Sequence, residues 1–168
     1  MAFGVFDGIH RGHQWLISRA IQDAEARGTK SAVLTFDHDP DELFAPERLM
    51  KLMTNSECIL ELARTGVDIV AVLPFDYAFA AMSPEEFLAW AFGGGCPASL
   101  HVGEGFRFAA NEAGTVADLE RWDAPRGMQV YEHRLLRAGG ARVSSTRIRH
   151  LIAEGRISRA QELLGKLA

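Results

Sequence analysis

The sequence predicts an α/β fold, a doubly wound sheet of five parallel strands with helices on both faces. Three observations carry that expectation. Strand-like and helix-like stretches alternate along the whole 168-residue chain, with no repeat or low-complexity segment between them. The strand-like stretches are nearly continuous in apolar character, as strands of a covered parallel sheet are. The first of them runs into a glycine-bracketed turn, and open α/β sheets bind ligands beyond the carboxyl ends of their strands, where strand order reverses.

The elements follow in order. Ala2 to Phe6 reads as the first strand, and a helix is expected from about Gln14, with Leu16, Ile17, Ala20, Ile21 and Ala24 on one face and Gly28 as its stop. Ser31 to Phe36 is a buried strand that delivers Asp37-His38-Asp39-Pro40 to the ligand edge. Thr54-Asn55-Ser56-Glu57 is a capping box for a helix carrying Ile59, Leu60, Leu62 and Ala63 as far as Gly66, and Asp68 to Leu73 is the next strand. Ser83-Pro84-Glu85-Glu86 is a second capping box, with proline at the first helical position, and Gly93-Gly94-Gly95 ends its helix. Ser99 to Gly103 is a strand, Gly105 to Gly114 a loop with two exposed aromatics, Thr115 to Trp122 a short helix and Met128 to His133 the fifth strand. A helix from Ser144 to Glu154 and a closing helix from Ser158 complete a single domain over 1–168.

Composition excludes several classes. Nearly half the residues are apolar and a quarter are charged, ordinary for a soluble domain with a sizeable core. The net charge of −4 leaves no global basic field for nucleic acid. No apolar run is long enough to span a bilayer and no signal peptide is seen, so the cytoplasm is expected. Cys58 and Cys96 lack metal-ligand spacing and read as buried thiols in a reducing compartment.

Two segments carry the chemistry. In Gly4-Val5-Phe6-Asp7-Gly8-Ile9-His10-Arg11-Gly12-His13, two imidazoles flank a glycine where strand hands over to helix. Gly8 and Gly12 lack a Cβ, so a bulky anion can approach the backbone, and the helix start offers unpaired N–H groups and a positive dipole end. The alternative is structural: His10 caps the loop and His13 packs in the first turn. Near the other end, Arg142-Val143-Ser144-Ser145-Thr146-Arg147-Ile148-Arg149 also precedes a helix, with Ser144 or Ser145 as its cap. Hydroxyls and arginines at a helix N-terminus make a second anion site, or else an ordinary capped helix with solvated arginines. Taken together, the two segments imply a ligand with several phosphates.

These segments, with Leu34-Thr35-Phe36-Asp37, Gly66-Val67-Asp68, Phe75-Asp76, Phe79-Ala80, Ser83-Pro84-Glu85-Glu86-Phe87 and Val102-Gly103-Glu104-Gly105-Phe106-Arg107-Phe108 in order between them, resemble the HxGH nucleotidyltransferases. The likeness is to the FMN adenylyltransferase (FAD synthetase) module of bacterial bifunctional riboflavin kinase/FAD synthetases, and it covers nearly the whole chain. It implies a Rossmann-like sheet of the nucleotidyltransferase type and transfer of AMP from ATP to FMN, giving FAD and pyrophosphate. It ends at Leu163-Leu164-Gly165-Lys166, with no riboflavin kinase module expected. The chain either stands alone, is truncated, or works beside a separately encoded kinase.

The resemblance also implies roles. His10, His13, Arg142, Ser145 and Thr146 are the catalytic set. Gly4, Phe6, Asp7, Gly8, Gly12, His13, Ser144, Ser145, Thr146 and Arg149 bind ATP, with Ser145, Thr146 and Arg149 on the leaving phosphates. Thr35, Phe36, Asp37, Asp39, Glu104, Phe106 and Phe108 lie against the flavin, although Phe106 and Phe108 also suit strand-end core packing. Mg²⁺ is implied by the triphosphate, which it bridges with few protein ligands. No metal-ligating residue is assigned, and Asp7, the one nearby carboxylate, suits a loop or cap role equally. Arg147 falls on a variable position of the motif. The partners expected are small molecules alone, with neither nucleic acid nor membrane.

Two departures from the family pattern stand out. Aspartate occupies position 39 where the family has histidine, and glycine occupies position 105 where it has Asp or Asn. Both keep two other readings open: a different phosphorylated acceptor, or a catalytically weakened nucleotide- or flavin-binding homologue.

Overall fold

The computed structural model describes residues 1–123 and 127–165; Lys166, the last residue of the family likeness, lies outside them. Strands β1 (Ala2–Phe3), β2 (Ala32–Phe36), β3 (Ile69–Leu73), β4 (Ser99–Gly103) and β5 (Gln129–His133) form one all-parallel sheet in the order β3-β2-β1-β4-β5. Strand order reverses at β1, so the crevice opens between β1 and β4, beside the turn that carries the imidazoles.

Helices α1 (Arg11–Ala26), α2 (Pro40–Phe44), α3 (Asn55–Arg64), α4 (Tyr77–Ala80), α5 (Pro84–Phe92) and α6 (Val116–Asp123) occupy the crossovers. A hairpin, β6 (Arg137–Ala138) with β7 (Ala141–Arg142), then leads into α7 (Ser145–Ala153) and α8 (Ile157–Leu164). Among the described residues no helix is long and apolar enough to cross a membrane.

Alternation along the strands splits the core into two layers. Phe3, Leu100 and Val102 join Phe87, Phe79 and Leu119 under α5 and α6, while Ala2 and Val33 join Phe6, Ile17 and Leu62 under α1 and α3. A third cluster, Val143, Ile148, Leu151, Ala160 and Leu163, seals α7 against α8. Both capping boxes form as the sequence predicts, Thr54 with Glu57 and Ser83 with Glu86.

Five expectations are corrected. The first strand ends at Phe3: after Gly4 N–H reaches Leu34 O at 3.2 Å the chain leaves the ladder, exposing Val5 and burying Phe6. The first helix begins at Arg11 rather than Gln14, because His10 caps it. Of the two loop aromatics, Phe108 is buried and pairs through its backbone with Gly114, and Phe106 is half-buried. Cys58 and Cys96 are free but only half-buried. The strands are also less uniformly apolar than expected, since Ser99, His101, Tyr131 and His133 put a polar stripe on the face under α1.

Candidate functional site

The imidazole turn is built around a cap. His10 adopts extended backbone, φ −63° and ψ 167°, and its Nδ1 accepts the His13 backbone N–H at 3.2 Å. The His10 and His13 rings stack with centroids 3.6 Å apart, and Phe6 meets the His13 ring edge-on. Burial pushes His10 down to about 4 and His13 well below its usual value, the latter helped by the neighbouring ring. Both imidazoles are therefore uncharged at neutral pH. With Nδ1 accepting, His10 carries its proton on Nε2. His13 Nδ1 is buried with no hydrogen-bond partner among the described residues, an unfilled polar position at the heart of the site.

The glycines serve these side chains more than an incoming anion. A Cβ on Gly12 would lie 3.1 Å from Cε1 of His10, so a larger residue there would press on the ring where it folds over the turn. Gly8 takes φ +85°, and a Cβ there would meet Leu52 Cδ1 at 2.7 Å.

The second segment meets the first in space. Ser144 caps α7 by accepting the Arg147 N–H at 3.3 Å, and Ser145 Oγ donates to the backbone oxygen of Asp7 at 2.8 Å. His10, Gly12, His13, Arg142, Ser144, Ser145 and Thr146 line one cleft of about 400 Å³, with Gly4 and Phe6 on its floor. Two helix N-termini converge on this space with the neutral imidazoles of His10 and His13 and with Arg142 among its arginines, an arrangement that suits a polyphosphate.

Asp7 and Arg149 belong to the frame of the cleft. The Asp7 carboxylate, only 6% exposed as a residue, accepts from Leu52 N at 3.0 Å, Met53 N at 3.3 Å and Arg149 Nη2 at 2.7 Å. Its lone pairs are committed, so it does not fit a metal ligand. Arg149 also donates through Nε to Met50 O at 2.8 Å and does not line the cleft. Arg147, at the variable position of the motif, donates through one nitrogen to the carbonyls of Ala138, Ala141 and Arg142, each at 3.0 Å, and fastens the hairpin to α7.

The residues expected at the flavin divide. Phe36, Phe106 and Phe108 line a second cavity of about 770 Å³, with Phe44, Phe75 and Tyr77 on its other walls. This aromatic cavity adjoins the imidazole cleft, sharing Phe3, Gly4, Val5, Phe106 and Arg107 with it, while Glu104 lines only the cleft. Thr35, Asp37 and Asp39 line neither. Thr35 is buried, and Asp37 accepts the Phe75 N–H at 2.8 Å. Asp39 caps α2 in a capping box with Glu42 and lies 3.9 Å from Arg149. Burial raises the Asp39 carboxyl above its usual value.

Comparison with known proteins agrees with this geometry. The sequence model of the FAD synthetase family matches residues 1–147. The chain belongs to that family. Bifunctional riboflavin kinase/FMN adenylyltransferases are similar to it: the Escherichia coli K12 protein is 32% identical over 98% of this chain and 53% of its own length, and the Listeria monocytogenes protein 36% identical over 98% and 53%. A putative bifunctional riboflavin kinase/FMN adenylyltransferase of Geobacillus thermodenitrificans is 34% identical over 98% of this chain and 88% of its own. The chain thus spans about half the length of most of the curated relatives named here. A crystal structure described as a macrolide-efflux protein from Streptococcus pneumoniae superposes with a TM-score of 0.84 at 28% identity, covering 98% of this chain and 56% of that one.

Within this FAD synthetase fold the Gly105 departure has a local explanation. The position takes φ +75° with open space where a Cβ would stand, a conformation that Asn and Asp tolerate better than other side chains. Sequence reasoning missed Trp15, Arg107, His133 and Arg134, all of which line the cleft. His133 was findable, since it ends the fifth strand at the edge where such sheets bind ligands.

Proposed function

We propose that this chain transfers AMP from ATP to the phosphate of FMN, releasing pyrophosphate and forming FAD. The observation that carries the reading is the junction of the two distant helix starts, Ser145 Oγ to Asp7 O at 2.8 Å, which puts His10, His13, Ser145, Thr146 and Arg142 around one cleft. Family membership and the adjoining aromatic cavity support it.

An FMN phosphate oxygen attacks the α-phosphorus of ATP. The bond from that phosphorus to the bridging oxygen breaks, and the electron pair leaves with pyrophosphate. The acceptor is already an anion, so no covalent nucleophile or strong base is needed; alignment and charge stabilisation suffice. Nε2–H of His10 and a ring N–H of His13 donate to phosphate oxygens as charge builds. A positioned donor of this kind is worth about 10²–10³ in rate. Ser145, Thr146 and the α7 N-terminus, with Ser144 holding its cap, receive the β- and γ-phosphates, and Arg142 adds charge from the hairpin. Arg149 acts by bracing Asp7 and the turn. Mg²⁺ enters as part of the ATP substrate, chelated by its phosphates.

FMN sits with its ring in the aromatic cavity, against Phe36, Phe106 and Phe108, and its phosphate reaches the cleft past Gly4 and Glu104. A cytoplasmic setting, where ATP and FMN are both at hand, and small-molecule partners alone go with this reading. Incubation with ATP and FMN, followed by chromatographic detection of FAD and stoichiometric pyrophosphate, tests it. AMP transfer to pantetheine phosphate but not to FMN would overturn the acceptor assignment.

A further inference from the structure

A second pair of imidazoles stands beside the cleft and has no part in the chemistry above. Asp23, on the buried side of α1, lies with one carboxylate oxygen 3.3 Å from Nε2 of His101, and the Ser99 hydroxyl donates to the same oxygen. Nδ1 of His101 lies 2.9 Å from Nε2 of His133, and the two rings are within 8° of parallel, so this hydrogen bond is close to in-plane. His101 is almost fully buried, whereas half-buried His133 lines the cleft, with the Trp15 ring edge-on to it at 5.2 Å. The row Asp23–His101–His133 therefore runs from α1, across β4, to the nucleotide cleft.

The donors and acceptors along this row can be ordered in only one way. Burial alone would raise Asp23, but hydrogen bonds from Ser99, Arg27 and His101 outweigh it and hold the carboxyl at about 2. Asp23 is a carboxylate and can only accept, so His101 carries its proton on Nε2. Burial lowers His101 to about 4 and lowers His133 as well, the latter assisted by the charge of Arg19. Both rings are neutral at pH 7. The His101 Nδ1 lone pair must then accept from Nε2–H of His133, which leaves Nδ1 of His133 as a bare acceptor.

We propose that the Asp23–His101–His133 row fixes His133 as a hydrogen-bond acceptor for the nucleoside part of the nucleotide in the cleft. The inference rests on the ATP reading above and deepens it. A phosphate has no N–H or O–H to give such an acceptor at neutral pH. Adenosine has both, in its 6-amino group and its ribose hydroxyls. His133 is then a binding residue, and His101 and Asp23 are positioning residues that set its tautomer.

The test is calorimetric titration of the FMN-free protein with ATP, purine riboside triphosphate, 2′-deoxy-ATP and 3′-deoxy-ATP, together with long-range ¹H–¹⁵N correlation spectra of the imidazoles. The spectra should show protonated Nε2 on both His101 and His133. One of the three analogues should bind about tenfold more weakly than ATP, and its identity tells whether the amino group or a hydroxyl is the donor. His133→Phe should bind ATP and that analogue equally, whereas His133→Asn, whose side-chain oxygen can accept in place of Nδ1, should restore part of the preference. Asp23→Asn should shift the His133 tautomer and lessen the preference while leaving His133 itself in place.

Four equal affinities in the unaltered protein, or a preference that survives His133→Phe, would overturn the proposal while leaving the adenylyl-transfer reading intact. A protein that binds none of the four nucleotides would overturn both. An unchanged tautomer and preference in Asp23→Asn would remove the roles of Asp23 and His101.

Discussion

The protein holds two stacked or coplanar imidazole pairs within reach of one cleft, and they are wired in opposite ways. Among the described residues His10 and His13 have no carboxylate behind them; the hydrogen bond they make is to the backbone of their own turn, and one ring nitrogen is left buried and unfilled. His101 and His133 are backed by Asp23 and have every inward-facing nitrogen satisfied. A pair without a counter-charge suits a dianionic neighbour, because a fixed carboxylate would repel the phosphate proposed for the cleft. A pair anchored on a carboxylate suits recognition, because its proton positions are set before any ligand arrives.

The contrast can be broken most sharply at His13. His13→Ala should lower turnover by about 10²–10³ while changing FMN affinity less than threefold. Equal losses in both would mean that the first pair is scaffolding, like the bulk of the second. The carboxylates beside the two pairs come next. Arg149→Ala takes the cation from the buried Asp7 carboxylate, and should cost about 3 kcal/mol in a urea melt at pH 7. Arg27→Ala beside the more exposed Asp23 should give a much smaller loss. Comparable losses would contradict the different burial of the two ion pairs.

Acid gives a third comparison. His10 and His101 each sit at about 4 in the folded protein against 6.5 unfolded, so the unfolded chain binds more protons between those values. Their contribution to stability is full above pH 6.5 and falls as pH drops toward 4. Denaturation midpoints measured from pH 7 to pH 4 should decline accordingly. Adding ATP should raise the titration midpoint of His10, which faces phosphate, more than that of His101, read by NMR. Equal shifts would erase the distinction. The smallest expected effect is at Gly105→Asn, where open space and a left-handed backbone predict a stability change within about 0.5 kcal/mol.

What the sequence disclosed follows the range of the interactions involved. Capping boxes at Thr54 and Ser83 were legible because cap and partner lie three residues apart. The parallel sheet, and a reversal of strand order beside the imidazole turn, followed from alternation and crossover rules, whereas the full strand order was read only from the structure. The start of α1 was misplaced because histidine is not among the usual capping residues. The hairpin around Gly139-Gly140 was overlooked although a two-glycine turn is a recognised signal, its strands being only two residues each. The duties of Arg149 and of the second imidazole pair were hidden, since their partners lie 142 and 78 residues away.

That distance bears on how the cleft comes into being. The backbone oxygen of Asp7 and the hydroxyl of Ser145 close a loop of 138 residues, so the cleft proposed for the nucleotide does not exist in any nascent chain whose seventh helix is still inside the ribosome. The sheet can pair as synthesis proceeds, strand by strand. The cleft closes in one late step, when α7 and α8 dock against the turn that follows β1.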